Sequence, residues 1–262
     1  MQQMIGRIEG AIWDVDDTLL NNQSDDGDPI NNLHQRSRLV AIHTVARRYG
    51  VSCLLSVTAE ENYGSFARSP VHTVSGALWV ILVEAGLRSG DLSPKDPLLL
   101  EILNLKYEEY AKLLASEGKP VMGAVEFVRD LARHCNLEQH NAVASTATLA
   151  DINVFFHMTG LKDLFPDSRI VHVDNITYPK PHPEAFDKAF LSLNLPESSR
   201  ARVVAFEDDP RGIASAQEAG LIVCAITTRY SRAHLEGLEI VPDFIADSYN
   251  EFREIFGLSS LV

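Results

Sequence analysis

Asp14 and Asp16 close a short apolar run in the stretch Ala11-Ile12-Trp13-Asp14-Val15-Asp16-Asp17-Thr18-Leu19. A carboxylate beside apolar neighbours is costly to bury unless it is paired. Like charges this close repel, so one carboxyl holds its proton more tightly unless a cation intervenes. A hard divalent ion such as Mg2+ relieves that strain, because it prefers carboxylate oxygens. Taken alone, the cluster reads as an acidic turn after a strand.

Further groups shift that balance. Ser145 and Thr146 follow the apolar run Ala142-Val143-Ala144. Lys180 lies in Tyr178-Pro179-Lys180-Pro181-His182-Pro183, and Glu207-Asp208-Asp209 follows Val203-Val204-Ala205-Phe206. Each has an ordinary explanation. Ser145 could cap a helix, Lys180 could be a solvent lysine in a proline-stiffened turn, and the acidic triplet could be a surface turn. Those explanations leave one thing over: acid, hydroxyl, lysine and acid fall in that order at strand ends, where open parallel sheets bind ligands. A phosphate ester accounts for the set. One carboxylate attacks phosphorus and carries the group as an aspartyl phosphate. A second, two residues on, moves a proton to the leaving oxygen. A hydroxyl and a lysine hold the non-bridging oxygens. The last acids complete a cage for Mg2+.

The elements that must position these groups are legible in outline. Segments 8–14, 141–145, 169–173, 203–206 and 221–226 are short, rich in Val, Ile or Ala, and read as buried parallel strands. Helical patterns at 183–193 and 211–219 separate the later ones, the second ending at Gly220, a natural left-handed C-cap. Alternating strand and helix predicts an α/β fold with a parallel sheet covered on both faces. From about residue 21 to 119 the rhythm breaks. A polar loop, 21–32, leads into helical patterns at 33–49, 74–87 and 97–116 without a strand between them. In the loop, Asn22, Ser24, Asp26 and Gly27 loosely match the start of a calcium loop, but Leu33 stands where the bidentate Glu is needed. The loop is therefore expected to be a solvated linker.

Together these residues resemble the haloacid dehalogenase superfamily, in the branch that contains phosphoglycolate phosphatase and β-phosphoglucomutase. Asp14-Val15-Asp16-Asp17-Thr18-Leu19 is similar to its first motif and Ser145 to its second. Lys180, in the context running through Pro181 and Pro183 to Phe186, is similar to the third. Glu207-Asp208-Asp209-Pro210, followed by Gly212, Ala216 and Ala219-Gly220, is similar to the fourth. The resemblance implies a Rossmann-like α/β core, 1–20 with 119–262, and an inserted all-helical cap domain, 21–118. It implies Asp14 as nucleophile, Asp16 as acid/base, and Ser145, Thr146 and Lys180 on the phosphate. The implied metal ligands are the Asp14 side chain, the Asp16 backbone carbonyl and Asp208, with Glu207 and Asp209 beside them. Asp17 stands where the family more often has glycine.

By the same resemblance the chain is a Mg2+-dependent phosphatase acting on a small phosphorylated metabolite. The dehalogenases themselves lack the second aspartate. Mutases similar to β-phosphoglucomutase hold the far phosphate with a cap arginine; here that stretch is read as Ala67-Arg68-Ser69-Pro70-Val71-His72, with Pro70 near the arginine position. Hydrolysis is therefore expected over isomerisation. Arg68, His72, Trp13 and Tyr107 are candidate substrate contacts, although Trp13 and Tyr107 are more often core residues. His34 matches a histidine near the first cap helix. Two further alternatives are a receiver domain phosphorylated on aspartate, and a phosphate-binding module without turnover. A receiver has about half this length and explains neither the acids after the lysine nor the inserted helices.

The composition bounds the partners. A net charge of −13 without a Lys/Arg run argues against a nucleic-acid partner. Three widely spaced cysteines, Cys53, Cys135 and Cys224, suit a reducing compartment. The apolar run near the N-terminus is too short for a signal peptide or membrane span. A cytoplasmic protein with no membrane association is expected; oligomeric state is not legible.

Overall fold

The computed structural model describes residues 8–24, 27–71 and 73–258. Asn22–Gly118 forms one compact unit and the rest of the described chain forms the other.

The α/β unit opens with β1 (Gly10–Trp13), buried along its whole length, and β2 (Leu20–Asn21). The helical unit follows with α1 (Leu33–Tyr49), α2 (Ser52–Leu55), α3 (Ala59–Arg68), α4 (Val74–Glu84) and α5 (Pro97–Glu117). The chain returns to the α/β unit through β3 (Lys119–Pro120), which pairs antiparallel with β2. Then come α6 (Ala124–Cys135), β4 (Asn141–Ala144), α7 (Leu149–Thr159), β5 (Ile170–Val171), α8 (Glu184–Ser192), β6 (Val203–Glu207), α9 (Pro210–Glu218), β7 (Ile222–Ile226), α10 (Arg232–Glu236), β8 (Phe244–Ala246) and α11 (Tyr249–Ile255).

The main sheet has six strands in the order β5-β4-β1-β6-β7-β8, all parallel. This is the parallel α/β sheet expected from the strand and helix alternation, and the Rossmann-like core that the resemblance implies. Ile12 pairs with Ala142 on one side and Ala205 on the other, so β1 is central. One face packs Ile12, Ala144 and Ala205 with Phe186 and Phe190 of α8 and Ile213 and Ala216 of α9. An aromatic group that includes Trp13, Phe206, Phe127 and Phe252 stacks together as a second cluster. Truncating a buried aromatic such as Phe206 to Ala costs about 3–5 kcal/mol. The expected strand at 169–173 shrinks to β5, because 3-10 turns at Asp167–Arg169 and Val173–Asn175 take its ends. Gly220 adopts φ 73°, as its C-cap reading requires. The short edge strand β8 has no counterpart in the sequence reading.

The helical unit packs Ala41, Ile42 and Val45 of α1 against Leu78 and Leu82 of α4 and Leu99 and Ile102 of α5. Asn32, Thr73 and Asp96 cap α1, α4 and α5 by accepting backbone N–H groups. α3 was not anticipated, although Thr58 and Glu61 form a reciprocal capping box, a signature readable in sequence. The loop before α1 is not simply solvated. Asn22 is fully buried, its Oδ1 accepts from the Tyr110 hydroxyl at 2.8 Å, and its carbonyl accepts from Leu33 N at 3.0 Å. Among the described residues no helix is long and apolar enough to cross a membrane.

Candidate active site

The carboxyl ends of β1, β4 and β6 gather the chemistry. Asp14 is the first residue past β1, and its N–H donates to Phe206 O of β6 at 3.0 Å. That bond fixes the carboxylate's origin on the sheet. Lys180, from the loop between β5 and α8, donates to Asp14 Oδ1 at 2.7 Å and to Glu207 Oε1 at 2.5 Å. All three side chains are at least nine-tenths buried. Lys180 Nζ also lies 4.9 Å from the centre of the Phe186 ring, a favourable cation–π placement. Glu207 is itself held, its Oε2 accepting from Asp208 N at 2.9 Å and Asp209 N at 3.0 Å. Lys180 is thus not a solvent lysine in a proline-stiffened turn but a buried one locked between two acids.

Burial pushes the Asp14 carboxyl well above its ordinary pKa; Lys180 pulls it back, and Glu207 and Asp16 push it further up. Burial alone would lower Lys180, but Asp14 and Glu207 outweigh it and hold the ammonium protonated. Asp208 is likewise pushed well up, first by burial and then by Glu207, Asp17 and Asp14. Its Oδ1 accepts from the Thr18 hydroxyl at 3.2 Å. Its Oδ2 is buried with no hydrogen-bond partner among the described residues.

These features fit a divalent cation. Oxygens of Asp14, Glu207 and Asp208 lie within 4.8 Å of one another. All are hard donors in surplus negative charge, and one is an orphan. Glu207 already serves Lys180 and two backbone amides, which leaves Asp14 and Asp208 as the pair with ligand capacity to spare. Asp16 contributes no carboxylate to this group; it is half-buried two residues beyond Asp14.

The remaining expectations divide. Ser145 is fully buried after β4, and its hydroxyl accepts from Ala147 N at 3.1 Å. It does not cap the next helix, because Thr148 does. Thr146 is exposed. Asp209 caps α9 and binds Arg211 Nε at 3.1 Å and Arg229 Nη1 at 3.2 Å, which hold its carboxyl low against the effect of burial. Asp17 sits at φ 57°, the left-handed region that explains a glycine preference there.

Trp13 is core, not entrance. Its ring stacks on Phe206 at 4.0 Å and its Nε1 donates to Asn141 Oδ1 at 3.0 Å. Arg68, at the end of α3, gives Nε and Nη2 to the two Glu84 oxygens at 2.9 and 3.0 Å. His72 lies outside the described residues. Within the helical unit, His34 stacks on Tyr110 at 4.2 Å. Lys106, missed in the sequence, is buried with its Nζ 4.5 Å from the centre of the Tyr107 ring and 3.3 Å from His34 Nδ1. Its signal was there: it falls in the buried stripe Leu99, Ile102, Leu103, Lys106, Tyr110, Leu114 of α5.

A parallel sheet with acids and a buried lysine at its carboxyl edge is the arrangement that the resemblance to the haloacid dehalogenase superfamily implies. The chain belongs to the haloacid dehalogenase-like hydrolases, a family whose match spans residues 8–220. It is an enzyme of the phosphoric monoester hydrolase class. Over 228 residues it is 30% identical to protein CbbY of Rhodobacter capsulatus, covering 86% of this chain and 88% of that one. Among solved structures it is similar to a family IA, variant 3 hydrolase from Entamoeba histolytica, with TM-score 0.72, 20% identity and coverage of 96% and 99%. It is also similar to CbbY from Rhodobacter sphaeroides in complex with phosphate, with TM-score 0.65, 22% identity and coverage of 94% and 96%. These structural likenesses establish the fold.

Proposed function

We propose that this enzyme is a Mg2+-dependent phosphatase of small phosphorylated metabolites that works through an aspartyl phosphate on Asp14. The observation that carries this reading is Lys180 bridging Asp14 and Glu207 at the edge of the sheet, beside the orphan oxygen of Asp208.

An Asp14 carboxylate oxygen attacks phosphorus and the ester P–O bond breaks, while Asp16 gives its proton to the leaving oxygen. Asp16 then takes a proton from water as the water oxygen attacks the same phosphorus. The bond from phosphorus to Asp14 breaks, releasing inorganic phosphate and restoring both carboxyls. Throughout, Lys180 stays protonated and compensates the non-bridging oxygens, with Ser145 and Thr146 as further donors. Asp14, the Asp16 carbonyl and Asp208 would hold Mg2+, which when bound would supply the positive charge that lets an anionic nucleophile meet an anionic phosphate. The phosphate-bound CbbY neighbour supports a phosphate group as the common element of the ligand.

A phosphosugar mutase is the less favoured reading, because Arg68 already spends its guanidinium on Glu84. A receiver domain does not account for the inserted helical unit. The test is a phosphate-release screen with Mg2+ over sugar phosphates, phosphoglycolate and nucleoside monophosphates. One arm holds β-glucose 1-phosphate with a trace of the 1,6-bisphosphate. Release of free phosphate is expected; isomerisation that outpaces release would overturn the choice.

A further inference from the structure

Two hydroxyl side chains beyond residue 220, where the family match ends, return to the loop that follows β1. The Thr228 hydroxyl, in the turn after β7, donates to the Asp17 carbonyl. The Tyr249 hydroxyl, at the start of α11, donates to the Thr18 carbonyl at 2.8 Å. Just before these two carbonyls the backbone passes through Asp17 at φ 57°, a conformation that costs any residue with a Cβ. Asp17 N donates to Leu20 O at 2.6 Å and Leu20 N to Val15 O at 2.8 Å, closing a tight turn. The side chain of that turn is then put to use, since the Thr18 hydroxyl donates to Asp208 Oδ1 and leaves Oδ2 as the orphan. Tyr249 and Thr18 are fully buried and Asp208 is 2% exposed.

We propose that Tyr249, assisted by Thr228, is a positioning residue that clamps the Asp17–Thr18 turn and, through Thr18, aims Asp208 at the divalent ion. The inference rests on the reading of Asp208 as a Mg2+ ligand. Mere satisfaction of buried carbonyls is the competing explanation. It does not account for two hydroxyls from separate elements converging on successive carbonyls of one turn, whose own hydroxyl ends on Asp208. Nor is the Tyr249 hydroxyl needed to seat its ring, which packs against Phe127 at 5.3 Å and Phe252 at 5.9 Å. Burial, with Asp208 and Asp14 nearby, pushes the phenol well above its ordinary pKa, so it stays a donor.

The experiment is calorimetric titration with Mg2+ alone into wild type, Tyr249→Phe, Thr228→Val, Thr18→Val and the Tyr249→Phe/Thr18→Val double variant. Partners that orient metal ligands typically govern affinity by about 10–100-fold, so Tyr249→Phe is expected to weaken Mg2+ binding by about tenfold or more. Thr228→Val should shift it in the same direction by less. In the double variant Tyr249→Phe should add nothing to Thr18→Val, because it acts through that residue. Unchanged Mg2+ affinity in a folded Tyr249→Phe protein, or fully additive losses, would overturn the clamp. If Tyr249→Phe fails to fold, unchanged affinity in Thr228→Val overturns it alone. Wild type that does not bind Mg2+ would remove the metal reading and the clamp with it, an outcome distinct from wild type binding and the variants binding equally.

Discussion

Glu207 lays its carboxylate against the bare Cα of Gly212, so closely that a Cβ there would fall 1.8 Å from Oε1 and 2.0 Å from Cδ. The acid that anchors Lys180 therefore occupies space that only glycine leaves free. Gly212→Ala must push Glu207 aside, and with it the lysine and the amides of Asp208 and Asp209. Overpacking of this kind costs about 1–3 kcal/mol. Misplacing a catalytic group by an ångström can cost about a hundredfold in rate, so kcat should fall at least tenfold. Steady-state kinetics beside a thermal melt checks both, and near-normal kcat would detach Glu207 from the mechanism.

Asp14→Asn should abolish phosphate release while the protein stays folded. The change removes the nucleophile and one metal ligand but little volume, and it lightens the like charge around Asp208. Loss of a covalent nucleophile costs at least about a thousandfold by analogy with other enzymes. Circular dichroism verifies the fold and a phosphate-release assay the loss. Near-normal turnover in the folded variant would exclude Asp14 as nucleophile.

The strand-end acids and hydroxyl were legible in sequence because each follows a short apolar run, and Lys180 because it stands in a proline-rich turn similar to a family motif. What the runs could not show is distance through space. Nothing in residues 178–183 says that Lys180 sits between Asp14 and Glu207, or that Thr148, not Ser145, caps α7. Asp209 does lie beside Glu207 and Asp208, but its carboxylate is an N-cap tied to Arg211 and Arg229, which the sequence did not show. Trp13, a candidate substrate contact but more often a core residue, is stacked in the core. Lys106 was hidden because a lysine in an apolar stripe reads as a surface interruption rather than a buried cation. β8 escaped because three residues carry too little periodicity.

The loop that delivers Lys180 should respond to acid through Glu184. Its Oε2 accepts from Thr177 N at 2.9 Å and Tyr178 N at 2.7 Å, while Lys188 binds Oε1 at 2.6 Å. Lys188, then the Tyr178 amide, hold its carboxyl down at about 2. A depressed folded pKa means that the unfolded chain takes up the proton first. The contribution is thus complete above the ordinary glutamate range near 4.5 and fades as pH falls toward 2. Glu184→Gln should lower Tm at neutral pH, and the gap from wild type should narrow progressively below pH about 4.5. A gap that stays constant down to the acid end would show that the carboxylate charge is not what ties this loop.

Mg2+ should stabilise the wild type and do so through Asp208. Without a cation, Asp14, Glu207 and Asp208 crowd like charge into a buried site, and Asp208 Oδ2 is desolvated without a partner among the described residues. An ion that binds only the folded state adds RT ln(1 + [L]/Kd), about 2.7 kcal/mol at a hundredfold excess over Kd. Wild-type melts in EDTA and in excess Mg2+ should therefore separate by several degrees. Asp208→Asn should behave differently in both arms. Its metal-free Tm should equal or exceed that of wild type, because one of three crowded charges is gone and an amide can donate where the carboxylate could not. Its Mg2+ increment should shrink sharply, because Glu207 is committed to Lys180 and two amides and Asp14 is then the one acid of the three with ligand capacity to spare. Differential scanning calorimetry of the two proteins under the two conditions gives all four values. Equal Mg2+ increments in wild type and Asp208→Asn would show that the orphan oxygen is not a metal ligand.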